Sequence, residues 1–217
     1  MATKQQQLET PSIPSLGFPP EAYERRHLNE NYSSLNGYFR KLTTVLGSLF
    51  GPRGGKFMNN PYGAFQDSTD QTAASTTAAY AVTFNTTDFS NGVTMASGSR
   101  ITVVDAGIWN CQFSIQMKNT TNDTQDAEIW FRKNGTNIDN SNSRFNMSPR
   151  KSSGDPSHTI AALNFFVSMN STDYLEIMWR VSDVGVSIEQ YAAGTSPTRP
   201  ATPSTIVTMS FVSNLPT

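Results

Sequence analysis

Few side chains in this sequence could bind a metal ion or act as a nucleophile, because it contains only two histidines and one cysteine. Neither His27 nor His158 belongs to an HxH or HExxH pattern, the spacings that bring two imidazoles onto one zinc ion. Cys111 lies within an alternating apolar run, where a thiol is expected to be buried as a small hydrophobic group rather than exposed as a reactive thiolate. We therefore predict no zinc site, no internal disulfide and no catalytic cysteine.

Two clusters of acidic residues lie in predicted loops. One contains Asp67 and Asp70, and the other contains Asn122, Asp123 and Asp126. Neither cluster has the ligand spacing of a calcium-binding loop, in which oxygen ligands recur at fixed alternate positions. The sequence accordingly predicts no metal site.

No other stretch carries the pattern of a catalytic or cofactor site. The segment Arg53-Gly54-Gly55-Lys56 lacks the spacing of a phosphate-binding loop and follows no predicted strand. No Ser-His-Asp order and no pair of carboxylates stands out, although residues distant in sequence can meet in a fold. We expect a protein that is not an enzyme and that binds no cofactor.

The composition is polar without a strong charge. Charged residues make up 15% of the 217 residues, and the formal net charge is -1. A basic patch is the electrostatic footprint of nucleic-acid binding, and since no run of lysine or arginine is present we expect no nucleic-acid partner. No apolar run reaches the roughly 18 residues of a membrane helix, and the first residues resemble no secretory signal, so we expect neither membrane insertion nor secretion.

The residues from Ile101 to Met117 show the pattern around which a β domain would be organised. From Trp109 onward, apolar and polar residues alternate strictly, as in a half-buried strand whose successive side chains leave opposite faces of the sheet. Asp105-Ala-Gly107 marks a turn between this strand and a shorter one at Ile101–Val104.

Further strand patterns follow from Tyr62 to the C-terminus. Asn134-Gly135 is the strongest hairpin signal, because both residues accept the positive φ of a tight turn. About eight to ten short strands with long polar loops are typical of an all-β antiparallel sandwich or jelly roll. The predicted strands are Tyr62–Phe65, Ala79–Phe84, a pair within Phe89–Met95, Ile101–Val104, Ile108–Lys118, Ala127–Lys133, Thr136–Ile138, Thr159–Met169, Tyr174–Val181, Val184–Tyr191 and Thr205–Val212, and the long loops are Asn119–Asp126, Asn140–Asp155 and Ala192–Pro203.

Apolar residues with odd numbers predict the buried face of these strands. They are Ile129, Phe131, Leu163, Phe165, Val167, Leu175, Ile177, Trp179, Val181, Val207, Met209 and Phe211. Trp130, Phe166, Met178, Ile206 and Val212 point the opposite way. Exposed apolar patches mark surfaces that bind a partner, and we expect Trp130, Phe166 and Met178 to lie at an interface between copies of the chain. The alternative is a scatter of single surface hydrophobes, which are common.

Residues 20–50 have the pattern of a coiled-coil helix. Apolar residues recur at alternating spacings of four and three, which is the a and d repeat of a heptad. Glu21 and Glu24 favour a helix start, and Gly51-Pro52 stops the helix. An isolated helix of this kind is marginal in water, so we expect self-association, the alternative being packing on its own domain. The residues of this stripe are Leu28, Tyr32, Leu35, Phe39, Leu42, Leu46 and Leu49.

The first residues form a polar arm spaced by prolines, which cannot build a core of its own. Its apolar residues Ile13, Leu16 and Phe18 are predicted to dock on a larger assembly, the alternative being a disordered tail. The predicted organisation is an arm at 1–19, a coiled-coil helix at 20–50, a glycine- and proline-rich linker at 51–61 and a β domain at 62–217.

The order of the strands resembles the trimeric jelly roll shared by tumour necrosis factor and the globular heads of complement-type and collagen-type trimers. Residues 104–115 are similar to that family's "aGvYxFxxxv" strand, and Ile129–Gly135 is similar to its strand ending in Asn-Gly. Leu163–Trp179 is similar to its "xGDyVxv" hairpin, except that Asn170-Ser171-Thr172 stands where the family commonly has glycine, and Thr205–Val212 is similar to its closing strand. The resemblance covers about residues 62–213. It implies a homotrimer with aromatic side chains at the three-fold centre.

The N-terminal part does not resemble a secreted cytokine or a collagen, since it shows no leader, membrane anchor or Gly-X-Y repeat. An arm, a brief coiled coil and a jelly roll together resemble, by architecture, bacteriophage virion proteins such as capsid decorations, head fibres and short tail fibres. We therefore expect a homotrimeric structural protein of a virion that docks on capsid or tail proteins through its arm.

Two other functions remain open. One is a receptor-binding fibre whose loops Asn140–Asp155 and Ala192–Pro203 recognise a host-surface glycan or protein. The other is an enzyme acting on cell-wall polysaccharide, for which no motif was found.

Overall fold

The chain divides into two compact units, Met1–Asn59 and Asn60–Thr217. The computed structural model describes residues 11–16, 18, 21–22, 24–50 and 60–215. No helix within these residues combines the length and the apolar character needed to cross a membrane. The predicted linker at 51–61 falls almost wholly outside them, as does most of the predicted arm.

The first unit contains one helix, α1, from Arg25 to Phe50. It begins later than the predicted residue 20, so Glu21 and Glu24 precede its first turn, and Glu24 instead accepts a hydrogen bond at 3.3 Å from the Leu28 amide through its carbonyl. The predicted stripe is solvent-accessible: Tyr32 is 73% exposed and Phe39 is 57% exposed. The side chain of Leu49 lies outside the described residues.

The second unit is built from antiparallel strands, numbered here in chain order. They are β1 (Tyr62–Asp67), β2 (Gln71–Thr72), β3 (Tyr80–Ala81), β4 (Thr86–Asn91), β5 (Val93–Ala96), β6 (Arg100–Val103), β7 (Gly107–Asn119), β8 (Gln125–Lys133), β9 (Thr136–Asn137), β10 (Ser143–Met147), β11 (Ser157–Met169), β12 (Tyr174–Val181), β13 (Val186–Ile188), β14 (Gly194–Thr195), β15 (Thr198–Arg199) and β16 (Thr205–Ser213).

Two seven-stranded sheets form a β-sandwich, as the alternating pattern predicts. The first sheet has the order β2-β13-β7-β16-β1-β4. Strand β11 pairs with one edge of β7, and β16 and β13 pair with successive parts of its other edge. The second sheet has the order β10-β8-β12-β6-β5, with β9 paired to β8 and β3 paired to β12. Strands β14 and β15 form a small separate hairpin.

The core lies between the sheets and consists of the predicted inward residues. Trp109, Cys111 and Ile115 of β7 are completely buried, as are Phe131 and Ile177 of the opposing sheet. Leu163, Phe165 and Phe211 are partly buried and pack against this core. Each large apolar side chain buried in this way contributes about 1.5–3 kcal/mol relative to an exposed position. The prediction of the inward face is therefore confirmed.

Gly107 is required by the close approach of β16 rather than by a turn alone. A Cβ atom at this position would lie 2.3 Å from the ring of Phe211 and 2.7 Å from the carbonyl oxygen of Ser213. The missing side chain lets Phe211 make an edge-to-face contact with Trp109, with 5.4 Å between ring centroids. The sequence signal at Asp105-Ala-Gly107 thus reflects packing between strands.

The predicted hairpin at Asn134-Gly135 is confirmed. Both residues have positive φ, 49° and 81°, as a two-residue turn with the twist of a hairpin requires, and β8 pairs directly with β9.

Three predicted segments differ from the structure. The loop Asn140–Asp155 contains β10, which pairs with β8, and the loop Ala192–Pro203 contains β14 and β15, which pair with each other. Their sequences lack a clear alternation, and they are strands because each has a pairing partner in the fold. The predicted pair within Phe89–Met95 is wrong: β4 pairs with β1 in the first sheet and β5 with β6 in the second. The chain passes between the sheets at Gly92, whose φ is 68°.

Candidate interaction surfaces

The outward side of the first sheet carries almost no charge. Its central positions on β7, β11 and β16 hold amide, hydroxyl and apolar side chains, and only Lys118 and His158, at one end, are ionisable. We call this surface the uncharged face; its residues are Ile108, Asn110, Gln112, Ser114, Gln116, Ile160, Ala162, Asn164, Phe166, Ser168, Ile206, Thr208 and Ser210.

Exposed apolar side chains lie on the uncharged face. Ile160 is 60% exposed, Phe166 is 57% exposed and Ile206 is 40% exposed. The strand register places Ala162 and Ile206 on opposite sides of Ser114, in one row across the sheet. A face without charges costs little to desolvate when another protein surface covers it, since burying unpaired charges is the expensive step in association.

The outward side of the second sheet is a ladder of ion pairs, which we call the charged face. Arg180 Nε lies 3.5 Å from Glu128 Oε2, and Arg144 pairs with Asp126. The hydrogen bonds from Asn146 and Arg144 lower the pKa of Asp126. Most of these side chains are accessible, so each pair adds little stability, but together they make this face strongly hydrated.

The predicted interface residues of the β domain do not form one surface. Phe166 lies on the uncharged face, whereas Trp130 lies on the charged face, on the opposite sheet. Placing Met178 on an exposed face is wrong, since it is only 3% exposed. Its strand is central, and Trp130 and Ala81 stand beside it in register on the two neighbouring strands.

Trp130 lines an open groove of about 300 Å³ on the charged face. Its indole Nε1 donates a hydrogen bond at 2.9 Å to Asn137 Oδ1. We call this site the Trp130 groove; it is lined by Glu128, Trp130, Asn137, Ile138, Asp139, Asn140, Asn142 and Arg180. Sequence reasoning selected Trp130 but missed its neighbours. The only signal for them was the predicted receptor-reading loop Asn140–Asp155, which supplies Asn140 and Asn142.

A second groove, of about 540 Å³, lies where the uncharged face ends. His158 and Tyr191 line it and hydrogen-bond to each other, and Glu189 pairs with Lys118 and lies 3.7 Å from His158 Nδ1. Burial and the neighbouring Glu189 raise the pKa of Tyr191, so its hydroxyl is held as a neutral hydrogen-bonding group and is a poor nucleophile. The arrangement favours a structural network over proton-transfer chemistry.

The two acidic clusters serve as hydrogen-bond acceptors. Asp67 is buried and accepts bonds from the Thr69 amide at 2.8 Å and from Asn85 Nδ2 at 3.0 Å. Asp70 accepts a bond at 2.8 Å from the Gln190 amide, and Asn122 accepts one at 2.8 Å from Arg150. Within the described residues, no group of three or more His, Cys, Asp or Glu side chains is arranged to hold a metal ion.

Cys111 lies at the centre of β7 and is completely buried. Burial raises the pKa of its thiol to about 12, so it remains protonated at neutral pH and unreactive.

The residues predicted to dock the arm are exposed. Ile13 and Phe18 are almost fully accessible, and Leu16 is about half exposed.

Comparison of the chain with protein-family models finds no match, and a search of curated proteins finds none.

Proposed function

We propose that this chain is a non-enzymatic, homotrimeric structural protein of a bacteriophage virion, of the capsid decoration or head fibre type. Its arm would dock on the particle, α1 would pair with copies of itself along the three-fold axis, and the β domain would project outward. The observation that carries the proposal is the uncharged face, on which Ile160, Phe166 and Ile206 are exposed. The ion pairs among the described residues 60–215 lie elsewhere or at its margin.

The strand order supports a jelly roll of the kind found in tumour necrosis factor and complement-type heads. After β7 in the first sheet, the chain enters the second for β8 and β10, returns for β11, crosses again for β12 and closes with β16 beside β7. Repeated crossing between two antiparallel sheets is the connectivity of a double Greek key. In that family copies associate through such domains, and a surface like the uncharged face is suited to this contact.

The exposure of the stripe on α1 supports association of the helices. Leu28 and Leu46 are about half exposed, and Tyr32 and Phe39 are more exposed still, so a row of apolar side chains at a and d spacing is accessible to a second helix. Burying such a row contributes about 25 cal/mol per Å² of apolar surface before the cost of association. In a homotrimer the copies of α1 would associate through this row as a three-stranded coiled coil.

The mass of the intact assembly tests the oligomer. Native mass spectrometry of the full chain at micromolar concentration should give three times 23.8 kDa. The double variant Phe166→Asp/Ile206→Asp places charges on the uncharged face and should weaken the assembly, whereas Thr94→Asp, at an exposed position of β5, should leave it intact. A wild-type chain that is folded and monomeric would contradict the proposal.

Particle binding tests the virion assignment. Purified phage capsids should retain the full chain and should fail to retain a chain that lacks residues 1–19. Equal retention of both chains would argue against docking through the arm.

We infer recognition of a host-surface glycan or protein as the second candidate function. The observation that favours it is the Trp130 groove, which lies on the face opposite to the proposed interface and includes residues of the loop predicted to read a receptor.

A further inference from the structure

Trp130 is the only one of the three tryptophans that is not buried. Trp109 and Trp179 are 0% and 1% exposed, whereas Trp130 is partly exposed in its groove. The hydrogen bond from its Nε1 to Asn137 Oδ1 fixes the orientation of the ring. A fixed aromatic surface offers contact area with little further loss of conformational entropy on binding.

The polar groups around Trp130 have unused hydrogen-bonding capacity. Glu128 Oε2 lies 3.5 Å from Arg180 Nε and accepts a long bond of 3.4 Å from Asn142 Nδ2. A carboxylate has about four lone-pair sites and a guanidinium has five N–H groups, so both retain positions for a ligand. Asn140, with φ of 59°, adds another amide at the rim.

We propose that the Trp130 groove binds one or two rings of a neutral saccharide, which rests on the recognition function proposed second above. The C–H face of a pyranose ring would stack on the indole. Its vicinal hydroxyl groups, which are both donors and acceptors, would pair with the Asn142 amide and with the Glu128 and Arg180 side chains.

The charge of the groove selects against an anionic ligand. Among the residues that line the groove, Glu128 and Asp139 supply two carboxylates and Arg180 supplies the single guanidinium. An anionic sugar or a phosphate would meet more carboxylates than guanidinium groups. The hydroxyl groups of a neutral sugar can donate hydrogen bonds to the carboxylates and accept them from the guanidinium. The volume of about 300 Å³ is at the lower end of small-ligand sites and suits one or two rings.

Each groove is open and shallow, so the affinity of one site for a free sugar is expected to be weak. Three copies on one assembly would present three grooves, and simultaneous engagement of a glycan-covered surface would raise the overall avidity without any new contact.

Intrinsic fluorescence of the full chain provides a direct test. Because Trp109 and Trp179 are buried, acrylamide should quench mainly Trp130, and a bound sugar should protect it. We would titrate the methyl glycosides of glucose, galactose and N-acetylglucosamine, with sialyllactose as the anionic comparison. We expect at least one neutral glycoside to reduce the acrylamide quenching of Trp130 in a saturable way. No response to any neutral glycoside, or a response to sialyllactose alone, would overturn the proposal.

Variants read on a glycan array locate the site. Trp130→Ala should reduce binding of neutral glycans by about tenfold or more, as loss of a central aromatic contact does. Asn142→Ala should reduce it several-fold, while the matched change Asn170→Ala, at an exposed position just after β11, should leave it unchanged. Unchanged binding by both groove variants would overturn the assignment. Native mass of the wild-type chain separates the two proposals, since a wild-type chain that keeps the trimer mass but binds no neutral glycan argues against the groove alone.

Discussion

Glu176 is nearly buried on the outward side of β12, where an unpaired carboxylate would be costly. Arg132 Nε lies 2.9 Å from one of its oxygens, Arg100 Nε lies 3.6 Å from the other, and Ser99 donates a hydrogen bond at 3.2 Å. Arg100 also lies over the ring of Tyr174, 4.6 Å from its centroid. These residues tie β6, β8 and β12 together, so a prominent charged cluster of the molecule holds strands rather than a ligand.

Glu189 gives a prediction of pH dependence. Burial raises the pKa of its carboxyl, whereas the hydrogen bonds from Lys118 and Tyr191 and the charges of Lys118 and His158 lower it. The lowering is the larger effect, so the pKa of Glu189 lies below its ordinary value. The folded state therefore binds this proton more weakly than the unfolded state. The stability contributed by the carboxylate is complete above the ordinary glutamate pKa of about 4.3 and is lost as the pH falls through the folded pKa.

Urea unfolding between about pH 3 and pH 6 would measure this contribution. Glu189→Gln should flatten the acid decline of the unfolding free energy. Lys118→Met removes the cation that lowers the pKa of Glu189, and it should also reduce the decline of the unfolding free energy at acid pH. If the unfolding free energies of the wild-type and Glu189→Gln chains fell equally with pH, the contribution assigned to Glu189 would be contradicted.

Among the elements, α1 has an apolar stripe but also two helix-weakening glycines, Gly37 and Gly47. A Cβ atom at either position would meet nothing within 4 Å. In the heptad set by Leu35 and Leu42, both glycines fall outside the a and d positions. They therefore weaken the helix without serving its packing.

Gly37→Ala should stabilise the helix by about 1 kcal/mol, because alanine restricts the unfolded backbone and favours the helical state. Thermal unfolding followed by circular dichroism of the full chain would show this as a higher transition temperature. Gly135→Ala is the opposite control: with φ of 81° in the β8–β9 turn, an alanine there is strained and should lower stability by about 1 kcal/mol. Equal effects of the two changes would contradict this account.

At the scale of the whole molecule, the two outer faces of the sandwich differ in chemistry. The uncharged face carries amide, hydroxyl and exposed apolar groups, and the charged face carries ion pairs and the Trp130 groove. A homotrimer that buries the first face would leave the second accessible for a ligand. The two proposals therefore use different surfaces and are compatible with one assembly.

Association of the folded chain makes its thermal stability depend on concentration, since a complex that only the native state forms is favoured by mass action. For a trimer of this size we expect the midpoint temperature to rise by about 2–4 °C for each tenfold increase in concentration. Differential scanning calorimetry over a hundredfold range, about two such steps, would measure it. The Phe166→Asp/Ile206→Asp variant should lose much of this dependence, and a wild-type midpoint independent of concentration would contradict self-association.

The alternation of apolar and polar side chains along a strand could be recognised from the sequence alone. Trp109, Cys111 and Phe113 alternate with polar residues, and this local rule was enough to assign the inward side of β7, because strand geometry alone sends neighbouring side chains to opposite faces. The Asn134-Gly135 turn was equally local, since positive φ at both residues is a property of those two residue types.

The sequence pattern did not show which strands pair with one another. β10, with only Phe145 and Met147 as inward residues, is a strand because β8 lies beside it. The passage between sheets at Gly92 likewise depends on pairing, because β4 pairs with β1 in the first sheet and β5 pairs with β6 in the second. Non-local partners decide such segments because β-propensity is weak and dependent on context.

The sequence by itself determined which residues alternate, where the tightest turn lies and that the chain has few groups suited to catalysis. Only the tertiary structure decided that Trp130 and Phe166, both on the outward side of their strands, belong to opposite faces, and that Met178 is covered by its neighbours. The physical reason is that the period of a strand fixes which way a side chain points relative to its own sheet, whereas the partner strands fix which sheet that is.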